Sequence, residues 1–187
     1  MKHKVYIHII FIVLLSMFVV ERINAQEDRE HMAHHQIGIS INHVHVFKGV
    51  ADNGKRQTLT LPAWGVDYTY HFSKKWAIGV HTDFIIEKFE IQENTSGTEN
   101  SESVERSYPI APAVMGIYTA GHWNFLLGLG GEFASEENYF LTRAGIEYSY
   151  ELPQEWEIFG TVSYDMKWGG YNSWGIGLGI SKSFGAK

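Results

Sequence analysis

The sequence predicts an all-β chain, an eight-stranded antiparallel up-and-down transmembrane β-barrel. Three observations carry that expectation. From Gln36 onward apolar residues recur at every second position, the period of a strand and not of a helix. The opposite face is built mainly from Gly, Ser, Thr and Asn with a few charges. Connections alternate between tight and long, and aromatic residues gather near the strand ends.

Residues 1–25 come first and stand apart. A basic start (Lys2, Lys4), an apolar run from Val5 to Val20 and the ending Ile23-Asn24-Ala25 form the layout of a secretory signal peptide, with cleavage expected after Ala25. The apolar run falls short of the roughly 20 residues a spanning helix needs. Residues 26–35 read as a periplasmic linker carrying His31, His34 and His35, and the barrel is expected over 36–184.

The first strand, 36–47, sets Ile37, Ile39 and Ile41 against Gly38, Ser40 and Asn42. In 63–72, Trp64, Val66, Tyr68 and Tyr70 oppose Gly65, Asp67, Thr69 and His71. In 76–87, Trp76, Ile78, Val80, Phe84 and Ile86 oppose Gly79, His81, Asp83 and Glu87. The stretch 107–119 contains Pro109 and Pro112, which cannot donate to a ladder, so an irregular entry near Pro109 is expected. In 122–133, Trp123, Phe125, Leu127 and Leu129 alternate with Asn124, Gly128 and Gly130. The strands 139–152 and 156–168 repeat the pattern with Ile146, Tyr148 and Tyr150, then with Trp156, Ile158, Val162, Tyr164, Met166 and Trp168. The last strand is the clearest: Trp174, Ile176, Leu178 and Ile180 oppose Gly175, Gly177 and Gly179. Three glycines at spacing two call for a crowded, narrow interior.

Turns at 73–75, 120–121 and 153–155 are tight, whereas the loops 48–59 and 92–106 are long. Trp76, Trp123, Trp156 and Phe184 fall at the turn end, and Trp64, Trp168 and Trp174 near the loop end. Two aromatic girdles bracketing an aliphatic band suit a barrel crossing a membrane. A soluble barrel would instead turn its apolar face inward.

A formal net charge of −6 argues against a nucleic-acid partner, which needs a basic footprint. With no cysteine there is no disulfide framework, thiolate metal site or lipid-anchor cysteine. No motif calls for a cofactor. The inward polar face predicts a lumen network of Asp67, His81, Asp83, Glu87, Arg143, Glu147, Asp165 and Lys167, with Asp67 beside His81 and Arg143 beside Asp165. Buried charges demand such pairing. His43 and His45, two apart on one face, are weak metal candidates lacking a third ligand. An enzyme would need a nucleophile, a base and an orienter. His43, Asp52 and Ser101 are loose candidates for such a set, and 138–184 holds no histidine.

The leader, the eight alternating strands, the segment Trp76 to Asp83 and an aromatic-ended last strand from Tyr171 to Phe184 resemble the small outer-membrane β-barrel proteins of Gram-negative, Bacteroidetes-type bacteria. That resemblance implies residence in outer-membrane lipid and recognition of the terminal strand by the barrel-assembly machinery. Gly185-Ala186-Lys187 after Phe184 depart from the pattern. Members of such families serve adhesion, anchoring, small pores and lipid modification. The expected role is non-enzymatic, structural or surface-interacting through loops 48–59 and 92–106. A narrow pore or small-ligand carrier comes next, then a lipid-modifying enzyme.

Overall fold

A computed structural model describes residues 33–50, 56–92 and 103–185. The signal peptide expected over 1–25, most of the linker, Asp52 and Ser101 lie outside these residues. The strands are β1 (His34–Val50), β2 (Arg56–His71), β3 (Trp76–Ile85), β4 (Lys88–Gln92), β5 (Ser103–Ser107), β6 (Ile110–Ala120), β7 (Trp123–Glu132), β8 (Tyr139–Leu152), β9 (Trp156–Trp168) and β10 (Asn172–Phe184). Eight of them, β1, β2, β3 and β6 to β10, pair in sequence order, every pair antiparallel. Pairing of β1 with β10, from His35 opposite Phe184 to Val46 opposite Ser173, closes the cylinder. Closure leaves the wall of the barrel without a free edge.

The greasy face points outward. Ile176, Leu178 and Leu127 are 50%, 68% and 65% exposed. Their neighbours Gly177 and Leu126 are buried toward the axis. The glycine face of β10 has the expected cause. A Cβ on Gly177 would stand 1.9 Å from Asn42 Oδ1, and one on Gly179 would stand 2.2 Å from the Phe159 ring.

Three boundaries differ from the sequence reading. β1 begins at His34, so His34 and His35 belong to the barrel and not to a linker; His35 Nδ1 lies 2.7 Å from the Tyr68 hydroxyl on β2. Within the segment 48–59 the described residues, 48–50 and 56–59, are strand, because β1 and β2 run on to Val50 and Arg56 across a bulge between Val46 and Gly49. The segment 92–106 is not all loop either, since β4 and β5 pair from Lys88 opposite Ser107 to Gln92 opposite Ser103. The irregularity near Pro109 falls where β5 and β6 part: Tyr108 has φ 49°, and the Pro109 carbonyl accepts from Ile85 N–H.

Candidate functional site

The lumen changes character along its length. On β1, Ile37, Ile39 and Ile41 face out while Gly38, Ser40 and Asn42 face in; two residues on, Val44 and Val46 face in and His43 and His45 face out. β2 does the same, with Val66 and Trp64 outside giving way to Thr60 and Thr58. Strand parity is unbroken; the chemistry swaps sides. An apolar outside suits hydrocarbon, and a polar outside around an apolar interior suits water. The swap therefore marks the level at which β1 and β2 leave the apolar phase, toward the loop end.

Above that level the mouth is filled. Val44, Val46, Leu61, Ala63, Ile85, Phe89, Ile91, Tyr139 and Tyr171 form one buried cluster, with Leu59 and Val104 against it. The hairpin of β4 and β5 supplies Phe89, Ile91 and Val104, and its route explains the closure. β2 occupies one edge of β1 along its length, and β10 occupies the other edge up to Val46. Ile91 and Glu90 pair with Gly49 and Val50 on β1 while Gln57 and Arg56 keep the β2 edge. The hairpin thus leaves the β3–β6 side, crosses the mouth and docks on the edge that β10 vacates. It is a strap over the barrel.

Arg106 on β5 fastens the strap at its far side. Its side chain is buried, with Nη2 2.6 Å from Glu132 Oε1 at the end of β7. Nη1 donates to the Glu137 carbonyl, and the guanidinium lies 4.6 Å over the Tyr139 ring. Burial works against the Arg106 charge, but the Glu132 carboxylate beside it keeps the pKa above its ordinary value. Tyr171 donates to both Glu132 oxygens at 2.8 Å; burial first, and then that carboxylate, raise its hydroxyl well above the usual range.

From Glu132 a chain of charged groups runs down the axis. Lys167 Nζ lies 3.4 Å from Glu132, 2.6 Å from the Ser173 hydroxyl and 3.7 Å from Asp165. Arg143 meets Asp165 through two bonds of 2.7 and 2.8 Å and reaches Asp83 at 2.6 Å. Asn42 donates to Asp83 at 2.9 Å. Nearer the turn end, Asp67 lies 3.4 Å from His81, its cross-strand partner, and Glu147 accepts from Asn124 at 2.9 Å. Glu157 accepts from Gln36 and Ser181. Desolvated charges are tolerable because each carries such partners. Seven of the eight lumen candidates line the axis: Asp67, His81, Asp83, Arg143, Glu147, Asp165 and Lys167. Glu87 does not. It is exposed in the two-residue break between β3 and β4, where the alternation resets after Ile85 and turns it out of the lumen.

Two small cavities interrupt the packing. One of about 40 Å³ is lined by Asn42, Asp67, His81, Asp83, Arg143 and Glu147 among others, room for a few waters. The second, about 20 Å³, lies against Gln36, His71, Glu157 and Ser181 and shares Asp67, His81 and Glu147 with the first. Asn42 Oδ1 has no protein partner and sits on the wall of the larger one.

The outward residues sort by end. Trp64, Trp76, Trp123, Trp156, Trp168 and Phe184 are exposed on the outer wall. Trp174 is half-buried because His45 stacks on it at 4.1 Å and 10°. His45 also bonds Thr60, whereas His43 is exposed on the same outward face. Both metal candidates therefore stand outside the barrel, and among the described residues no group of three ligands forms around them.

The lumen network expected from the sequence leaves out Arg106, Glu132, Tyr139 and Tyr171. For Arg106 the signal is short alternation inside the acidic stretch: Phe89 and Ile91 against Lys88 and Glu90, then Val104 and Arg106 against Ser103 and Glu105.

With this geometry in hand, the fold can be compared with solved structures. Ail, the attachment invasion locus protein of Yersinia pestis, superposes with a TM-score of 0.52 at 14% identity, over 82% of this chain and 100% of that one. Neisserial surface protein A gives 0.53 at 10% identity over 82% and 100%. The outer membrane protein OprG of Pseudomonas aeruginosa gives 0.53 at 13% over 82% and 96%. The fold is theirs: a small closed eight-stranded antiparallel barrel. No protein-family model matches this sequence, and no curated protein does.

Proposed function

We propose that this chain is an outer-membrane barrel whose role is non-enzymatic: it holds its lumen shut and presents the strap and the ends of β1 and β2 as an interaction surface. The observation that carries this reading is the filled mouth, in which an apolar cluster and the buried Arg106–Glu132 pair occupy the place an open pore would need. Residence in outer-membrane lipid rests on the exposed apolar wall, its aromatic ends and the fold's likeness to outer-membrane barrels. The leader over 1–25 supports export with cleavage after Ala25, and the aromatic-ended β10 supports insertion by the barrel-assembly machinery. A Bacteroidetes-type origin rests on the Trp76–Asp83 segment. Surface interaction is favoured because the strap's outer side carries exposed Lys88, Glu90 and Glu105 above the level where the wall turns polar. Ail has been solved with the heparin analogue sucrose octasulfate, which shows that a barrel of this fold holds a polyanionic saccharide.

The test replaces residues 88–107 by a short turn. Barrel closure does not involve β4 or β5, so the variant should still fold and show heat-modifiable gel mobility. Cells carrying it should lose attachment or ligand capture relative to cells carrying the full chain. Unchanged attachment together with an altered lipid A acyl pattern, read by mass spectrometry, would replace this reading with an enzymatic one.

A further inference from the structure

We propose that the strap formed by β4 and β5 is a releasable seal over a latent path for small cations. Four observations converge on it. First, the strap is not part of the closed wall; it crosses the mouth and docks on the edge of β1 above Val46 through two residue pairs, Gly49 with Ile91 and Val50 with Glu90. Second, it departs from the wall at two breaks that face each other: Ile86-Glu87 after β3 and Tyr108-Pro109 before β6, held side by side by Ile85 N–H on the Pro109 carbonyl. Paired breaks at one level form a hinge: Ile86 N–H is still held by the Pro62 carbonyl on β2, and the bend falls on Glu87 and Tyr108. Third, the far side of the strap is fastened by one buried side chain, Arg106, through Glu132 and the Glu137 carbonyl.

Fourth, what lies beneath is polar and hydrated in scale. The two cavities share Asp67, His81 and Glu147, and the smaller one opens toward His71 and Gln36 at the turn end. Between them and the mouth stand Arg143, bridging Asp83 and Asp165, and Lys167, held by Asp165, Ser173 and Glu132. Five carboxyl groups, Asp67, Asp83, Glu147, Glu157 and Asp165, line this route beside Arg143 and Lys167. Carboxyl oxygens lining a low-dielectric tube favour cations over anions. The ligand class is a small hydrated monovalent cation, for which potassium is the probe.

The strap seals the mouth when Arg106 is paired and uncovers the route when it is not. This concerns the interior, whereas the surface role concerns the strap's outer side, so either can fail alone.

The experiment uses the full chain in planar bilayers with potassium chloride. Wild type should stay at background, and Arg106→Ala should give events at least tenfold more frequent, with a reversal potential showing cation preference. A second variant adds Val50→Cys and Glu90→Cys, cross-strand neighbours whose spacing suits a disulfide, in a chain with no cysteine of its own. Oxidation should silence Arg106→Ala, and reductant should restore it. Should Arg106→Ala fail to show the gel shift of a folded barrel, Glu132→Gln keeps the shape, removes the charge and should behave in the same direction. Arg106→Ala as silent as wild type, conduction indifferent to the disulfide, or anion preference would each overturn the proposal.

Discussion

At the residue scale, the lumen is packed to the point that a single methyl group is felt. Gly177→Ala would drive its Cβ into Oδ1 of Asn42, a side chain whose Nδ2 already donates to Asp83. The side chains must shift, at a cost of about 1–3 kcal/mol. Gly116→Ala is the control, because its Cβ would meet nothing nearer than the Leu127 carbonyl at 3.7 Å. It should change stability by about 0.5 kcal/mol or less. Urea unfolding in lipid vesicles measures both. Leu127→Arg places a charge on the outer wall at mid-barrel and should cost about 2–4 kcal/mol. Ser163→Ala, which faces the larger cavity, should cost about 1 kcal/mol or less. Equal losses for those two would contradict a hydrocarbon-facing exterior.

At the scale of elements, the strap and the loop between β9 and β10 form one unit through Glu132. Tyr171 lies in that loop, above the level where the wall turns polar, and gives the unit a dependence on alkali. Its folded pKa is raised, so the fold favours the protonated hydroxyl. The unfolded tyrosine ionises near pH 10 while the folded one keeps its proton. Its contribution is therefore complete below about pH 10 and is lost as pH rises above it. Tyr171→Phe should be less stable than wild type at pH 8, having lost its bonds to Glu132. It should also lose less stability than wild type between pH 9 and 11, by denaturant unfolding at each pH. Identical slopes for the two proteins would show that Tyr171 is not the titrating group. Hairpin elements were the hardest to read from sequence. β4 and β5 have five residues each, too few for alternation to stand out among Glu93, Glu99 and Glu102.

At the scale of the whole molecule, the barrel joins two regimes in one set of strands. Toward the turns it is polar within and apolar without; at the loop ends of β1 and β2 the arrangement is inverted, with apolar side chains inside under a strap. β1 keeps its parity from Gly38 to Val46 and β2 from Asp67 to Leu59, so the swap between Asn42 and His43 lies in the side chains alone. The sequence reading followed the first regime and extended it too far, expecting a polar cavity throughout. Val44, Val46, Leu61 and Ala63 carry the inversion in plain sight. A short apolar run of this kind does not say which side it faces.

The sequence by itself determined the strand period, the outward direction of the apolar face, the need for glycine along β10 and the closed eight-stranded wall. These are local consequences of alternation and of the rule that backbone polar groups in hydrocarbon must pair. Tertiary structure alone decided where the strap goes, that Arg106 meets Glu132 across 26 residues of chain, and that Glu87 stands outside the lumen. Those outcomes turn on which edge of β1 is vacant above Val46 and on a two-residue break that resets the facing of side chains. Neither leaves a mark in a period-two pattern.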